Sequence, residues 1–241
     1  ASIEQQRVCF EYSRKLRPKR MKNSSIMLPV RINEQSIPDF EFMEKFSLQI
    51  YLKDESKYTG YATQKIKALQ YCDVPPLAKK KWEEFYIKDL FPNIQRGKRL
   101  IKAKQETGTK PYVSSTALNN GVDNFITNEA GVRVFSNCLT IANSGSVGAS
   151  FYHPYEFVAS DHVTSLMSPT MNEFVYLFIS TLTNRLSEKY NFNREINDKR
   201  ISREKIMLPV DENKKPDFEF MEQYAKNQML SLYMRYLNKH T

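Results

Sequence analysis

Five cations crowd into nine residues at Arg96-Gly-Lys98-Arg99-Leu-Ile-Lys102-Ala-Lys104. Cations at that density neutralise phosphates and make binding strongly salt-dependent. Ser114, Ser115, Thr116, Asn119 and Asn120 follow shortly after. An Asn carboxamide bonds adenine in two places, and Ser or Thr hydroxyls touch any base edge. A third basic and amide-rich stretch runs from Lys189 to Arg200, with Asn191, Asn193, Arg194, Asn197, Lys199 and Arg200. Taken singly, each stretch is an ordinary polar loop. Together, in a chain of net charge +9, they describe a surface for a polyanion, with duplex DNA as the expected partner.

Catalytic constellations are weak. Asp73-Val-Pro75-Pro76-Leu77 lacks the aromatic of a methyl-transfer motif, and no glycine-rich loop precedes it. Pro38-Asp39 and Pro216-Asp217 each open a helix, so capping explains them better than a nuclease carboxylate. His153, His162 and His240 lack metal-ligand spacing with cysteines. Asp161-His162, beside Ser160, reads as a polar turn, because no glycine-flanked nucleophile accompanies it. Gly145-Ser-Val-Gly148 reads as a tight hairpin whose glycines let the backbone approach something closely. The expectation is a chain without catalytic residues, metal or cofactor.

Composition sets the frame. With 241 residues, 41% hydrophobic, 14 Tyr and 15 Phe, the chain can bury a core. The cysteines Cys9, Cys72 and Cys138 are odd in number and far apart, which suits free thiols in a reducing compartment. No apolar run approaches the roughly 20 residues of a membrane span, and no signal pattern opens the chain. The expected location is the cytoplasm.

The elements that must position the loops include a repeat. Residues 20–44 read RMKNSSIMLPVRINEQSIPDFEFME and residues 200–222 read RISREKIMLPVDENKKPDFEFME. The offset is 180 through Val30/Val210 and 178 from Pro38/Pro216 onward. The match extends back to Tyr12–Leu16 against Phe192–Ile196. The chain thus reads as the end of one module followed by a complete second module. IMLPV (26–30) reads as a strand or buried tail. The basic cluster around Pro18, with Arg14, Lys15, Arg17, Lys19, Arg20 and Lys22, reads as a solvated face.

A helix is expected over 38–70, capped by Asp39, with Phe40, Met43, Phe46 and Ile50 as its stripe and a possible bend at Gly60. Residues 73–78 form a stop. Short apolar runs with turns at Asn120-Gly121, Ala130-Gly131 and Ser144-Gly145 predict a strand-rich, antiparallel or mixed body over 80–168. A second helix is expected over 170–190, opened by a Thr170-x-x-Glu173 capping box. A third spans 217–239, with Phe218, Met221, Ala225, Met229, Leu232 and Tyr236 as its stripe. The fold class is α+β: one mixed α/β body and two long amphipathic helices that pair.

WEEFYIKDLF, RGKRL, PYVSSTALNNGV, NCLTIANSGSVGASFYHPYEFVASDHV, EKYNFNREINDKRISREKIMLPV and PDFEFMEQY, in that order, resemble the target-recognition domain of restriction–modification specificity subunits. The likeness is to type I S subunits and the S-like parts of type IIB and IIG enzymes. It implies residues 1–37 as the tail of a preceding recognition repeat, 38–72 as a spacer helix, 73–210 as the DNA target-recognition domain and 211–241 as a distal helix. It also implies an antiparallel coiled-coil spacer that docks methyltransferase (M) subunits, with restriction (R) subunits as further partners. S-adenosylmethionine, ATP and Mg²⁺ then belong to those partners. A symmetric homodimer would restore two recognition domains. The alternatives are a protein-binding scaffold and a recognition fragment of a larger fused enzyme.

Overall fold

A computed structural model describes residues 17–31, 37–191 and 193–240. Residues 12–16, Cys9 and the His240 side chain lie outside the described set. Contact density divides the chain after Gln64.

The first unit holds α1 (Pro18–Lys22) and most of α2 (Phe40–Ala68). Pro18 supplies the fixed φ that suits a first helical turn. Asp39 caps α2 as expected, accepting the Phe42 N–H at 2.9 Å. The helix runs unbroken through Gly60 to Ala68. Its apolar side chains are not confined to one stripe: Phe42, Leu48, Tyr51 and Leu52 are exposed along with Phe40, Phe46 and Ile50. Neither the strand nor the buried tail expected at 26–30 forms, and Ile26, Met27 and Val30 are exposed. Only Val30 makes a β-bridge, to Pro38, because no strand among the described residues pairs with Ile26–Pro29.

The second unit contains the rest. Its elements are β1 (Trp82–Tyr86), α3 (Ile87–Leu90), β2 (Asn93–Arg96), β3 (Thr107–Val113), β4 (Val122–Ile126), β5 (Val134–Phe135), β6 (Cys138–Ala142), β7 (Ser150–His153), β8 (Phe157–Ala159) and β9 (Val163–Met167). Then come α4 (Glu173–Thr183), α5 (Asp198–Ile201), β10 (Lys205–Pro209) and α6 (Phe218–His240). Pairing follows three sheets: β1-β10, β2-β9-β6-β7 and β4-β3-β8-β5. The β3–β8 pair is parallel and the other named pairs are antiparallel, which makes the body mixed.

The core forms where α4 meets the β6–β7 face. Tyr176 stacks on Tyr152 at 5.1 Å and on Phe91 at 6.2 Å. Its hydroxyl donates to Ser168 O at 3.0 Å and accepts the Ser168 N–H at 2.8 Å, so the buried phenol is satisfied at both lone pair and proton. Asn172, not Thr170, caps α4; its Oδ1 accepts from Phe174 and Val175, each at 3.1 Å. The helix stops at Thr183 instead of Lys189 or Tyr190, and a 3₁₀ stretch follows. The buried face of α6 is rotated from the expected stripe. Phe220, Met221, Ala225, Leu230 and Tyr233 are buried while Leu232 is exposed, because Phe178 of α4 receives Phe220 and Tyr224 edge-on.

Candidate nucleic-acid interface

Strand register collects several loops on one rim. Arg96, the last residue of β2, sits opposite Thr164 at the start of β9. Ala142, the last residue of β6, sits opposite Val163. β3 and β8 run parallel and end together at Val113 and Ala159. One bond joins the two four-stranded sheets here, Lys98 N–H donating to Ala159 O at 3.0 Å, and Ser160 N–H continues the β3–β8 pairing to Val113 O at 2.9 Å.

The turn 143–148 is the hub of this rim. Ser146 N–H donates to Ser115 O at 3.0 Å, and Ala117 N–H donates to Ser146 Oγ at 3.2 Å. On the other side, Ile196 N–H donates to Asn143 O at 3.1 Å. A side chain at Gly145 would put its Cβ 2.6 Å from Ser115 O, so the glycine-permitted approach expected from the sequence is an approach to Ser115. Ser144 Oγ lies 2.7 Å from His162 Nδ1, and Ser160 Oγ accepts the His162 N–H at 3.1 Å. Residues 160–163 are the polar turn expected.

The sequence-predicted residues divide accordingly. Arg96, Lys98, Ser114, Ser115 and the Arg194–Ile196 segment meet at the rim, with Lys98 and Arg194 exposed and the two serines half-buried. Lys102 and Lys104 lie instead beside the open end of the β3–β4 hairpin, where Asn128 Nδ2 donates to Lys104 O at 3.0 Å. Arg99 is exposed between them. Asn119 and Asn120 have positive φ, 49° and 53°, so the turn into β4 requires residues that tolerate left-handed backbone. Asn191 Oδ1 accepts the Asn193 N–H at 3.0 Å within a tight turn, and Arg194 lies over the Tyr190 ring at 5.4 Å. Arg200 donates to Glu195 O, and Lys199 is exposed on α5. Asn143 and Thr164, both fully buried, are residues the sequence reading missed. The neighbouring glycine pair was their one signal.

Electrostatics below the rim is set by Glu204. Burial works to raise its carboxyl. Bonds from Lys189 Nζ (2.7 and 2.8 Å) and Tyr190 Oη (2.5 Å) outweigh burial and hold it below the ordinary range. Burial first, and Glu204 second, push the Tyr190 phenol up to about 12. Burial lifts the Cys138 thiol to about 11 and lowers the His153 imidazole to about 4, so neither titrates near neutrality. Among the described residues no cluster of His, Cys, Asp and Glu fits a metal ion, and no helix is long and apolar enough to cross a membrane.

Residues 79–231 of this mixed α+β body match the type I restriction modification DNA specificity domain. The chain belongs to that family. It is 31% identical over 224 residues to the type II restriction enzyme BgcI specificity subunit S.BcgI of Heyndrickxia coagulans, covering 92% of this chain and 63% of that protein. It is similar to the type I restriction–modification S subunit of M. genitalium (18% identity, 79% of this chain and 49% of that one, TM-score 0.46). It is also similar to the HsdS subunit of Thermoanaerobacter tengcongensis (15% identity, 83% and 51%, TM-score 0.48). The chain thus spans less than two thirds of the curated relative and about half of these solved subunits.

Proposed function

We propose that residues 73–210 read one half of a bipartite DNA site for a restriction–modification complex. The observation that carries this is the gathering of loops at one strand end: Ser115 and Ile196 bond the turn 143–148, Lys98 bonds Ala159, and Arg96 closes β2 opposite Thr164. Exposed Lys98, Arg99, Lys102, Lys104, Lys199 and Arg200 supply sequence-independent phosphate contacts. Ser114, Ser115, Asn119, Asn120, Asn191, Asn193 and Arg194 are the candidates for base edges. The chain itself carries no reaction. Methyl transfer and cleavage fall to partner M and R subunits, which bring S-adenosylmethionine, ATP and Mg²⁺.

Residues 1–37 are read as the tail of a preceding recognition repeat, and α2 and α6 as an antiparallel spacer that docks the methyltransferase. The exposed Phe40, Phe42 and Phe46 on α2 favour a protein-binding role for that helix, since a soluble helix rarely offers such aromatics to water alone. A homodimer is one way to present two reading heads.

The test is fluorescence anisotropy with duplex DNA across a salt titration. Changing Lys98 and Arg99 to Ala should weaken all sequences alike and flatten the salt slope by roughly one unit per cation. Unchanged binding would place the DNA face elsewhere.

A further inference from the structure

Arg96 differs from the other cations of its run. Lys98, Arg99, Lys102 and Lys104 are exposed, whereas the Arg96 side chain is only 34% exposed and is held from several sides. Its backbone is pinned: Gly97 N–H donates to Val163 O at 2.9 Å, and Arg133 Nη1 donates to Arg96 O at 2.7 Å. Any Cβ at Gly97 would lie 2.2 Å from the Ala159 and Ser160 carbonyl oxygens, so this chain path requires glycine.

The inner edge of the guanidinium is fixed as well. With the Asn143 carboxamide oriented to satisfy its neighbours, Oδ1 accepts from Arg96 Nε at 3.0 Å and Nη2 at 3.2 Å, and Nδ2 donates to Thr164 Oγ1 at 2.9 Å. Asn143 is wholly buried, and its own backbone is bonded to His162 O (2.8 Å) and Ile196 N (3.1 Å). Thr164 is wholly buried too. Asp198 Oδ1 stands 3.9 Å from Arg96 Nε, but its exposure makes it a weak counter-ion.

A cation that only neutralises phosphate needs charge and reach, which the exposed lysines have. A buried amide used to orient a guanidinium has a different use, because base readout requires a fork held in a fixed plane. A neutral acceptor also leaves the positive charge intact. We infer that Arg96 is a guanine-reading residue of the rim, and that Asn143 and Thr164 are its positioning residues. Asn143 takes the Nε–Nη2 edge, so Nη1 and the outer N–H of Nη2 form an end-on fork for guanine O6 and N7. This rests on the DNA-reading function proposed above.

The experiment uses the full chain with randomised duplex pools, selecting bound sequences and measuring affinity against salt. Arg96→Lys keeps the cation but loses the fork. The selected site should lose its preference for G at one position by roughly 10- to 100-fold, while the salt slope stays. Thr164→Val, which frees Asn143, should relax the same position to a smaller degree, with a melting temperature lowered by the loss of a buried hydrogen bond. Lys98→Ala should instead lower the slope and leave the selected sequence as it was. If Arg96→Lys leaves the selected site intact, or weakens every sequence equally, Arg96 is a phosphate contact and the assignment is overturned while DNA reading stands. Failure of the unaltered chain to bind any duplex at low salt overturns both.

Discussion

The duplicated tail offers one sequence in two settings. Both copies close the same bridge and the same helix cap. Val30 bridges Pro38 and Val210 bridges Pro216. Asp39 N–H donates to Pro29 O and Asp217 N–H to Pro209 O, each at 2.9 Å. Both aspartates then cap a helix, and the ring pairs Phe42–Phe46 (5.7 Å) and Phe220–Tyr224 (5.9 Å) follow alike. What differs is the cover. Ile206 to Pro209 form β10 against β1, with Met207 opposite Glu84 and Pro209 opposite Trp82, whereas Ile26 to Pro29 pair with nothing described. Phe220 is 6% exposed beneath Phe178, while its counterpart Phe42 is 49% exposed. Bridge and cap are therefore written locally, but a strand is conferred by its partner.

The largest effect should come from the aromatic that one copy buries and the other does not. Phe220→Ala removes a ring from a packed core and should cost about 3–5 kcal/mol in urea unfolding of the second unit. Phe42→Ala should stay within about 0.5 kcal/mol, as exposed substitutions do. Equal costs would break the comparison and mean that the first copy is covered in solution. The same logic applies to amide exchange: the amides of residues 206–208 should be more protected than those of residues 26–28.

This contrast also explains what was legible in the sequence. Asp39 and Asp217 caps, the stop at 73–78 and the turn at Asn120-Gly121 were readable, because each depends on its own few residues. The buried face of α6 was misread by a partial turn, since Phe178, more than 40 positions away, decides that Phe220 goes inside. Asn172 displaced Thr170 as the cap for a similar reason, with its Nδ2 also bonding Glu222 at 2.5 Å on α6. The rim was half legible. Charge and amide content marked the loops, but only pairing of β2, β6 and β9 reveals that Lys102 and Lys104 part from Arg96 and that Asn143 joins it.

A smaller difference should separate the two caps. Asp39 bonds its helix N–H alone among the contacts described above, so Asp39→Ala should cost about 1 kcal/mol. Asp217 has the same role and also meets Lys80 Nζ at 2.6 Å, with both side chains mostly buried. Asp217→Ala leaves that ammonium near the Phe220 ring without its carboxylate, and should cost about 2–3 kcal/mol. Thermal melts of the two variants give the comparison directly. Similar losses would show that Lys80 regains its hydration when Asp217 is removed.

The smallest expected effect is a dependence on pH that only one copy possesses. At the position where the second copy has Glu204, the first has Ser24, whose hydroxyl donates to Arg20 O at 2.9 Å and carries no charge. Glu204 is held below the ordinary carboxylate range in the fold despite the opposing effect of burial. Its contribution is therefore present above the unfolded carboxylate value, about 4.3, and is lost as pH falls through the folded one. Glu204→Gln should lower stability at pH 7 and flatten the acid limb of the second unit's stability curve below about pH 5. Ser24 variants should leave that limb unchanged. An acid limb as steep in Glu204→Gln as in the parent would assign it to other groups, His153 first among them. Burial holds that imidazole neutral to about pH 4, so its own destabilisation begins higher, as pH falls through the unfolded histidine value near 6.5. The two groups thus act in different windows, and unfolding measured at pH 7, 5.5 and 4 separates the loss due to His153 from the loss due to Glu204.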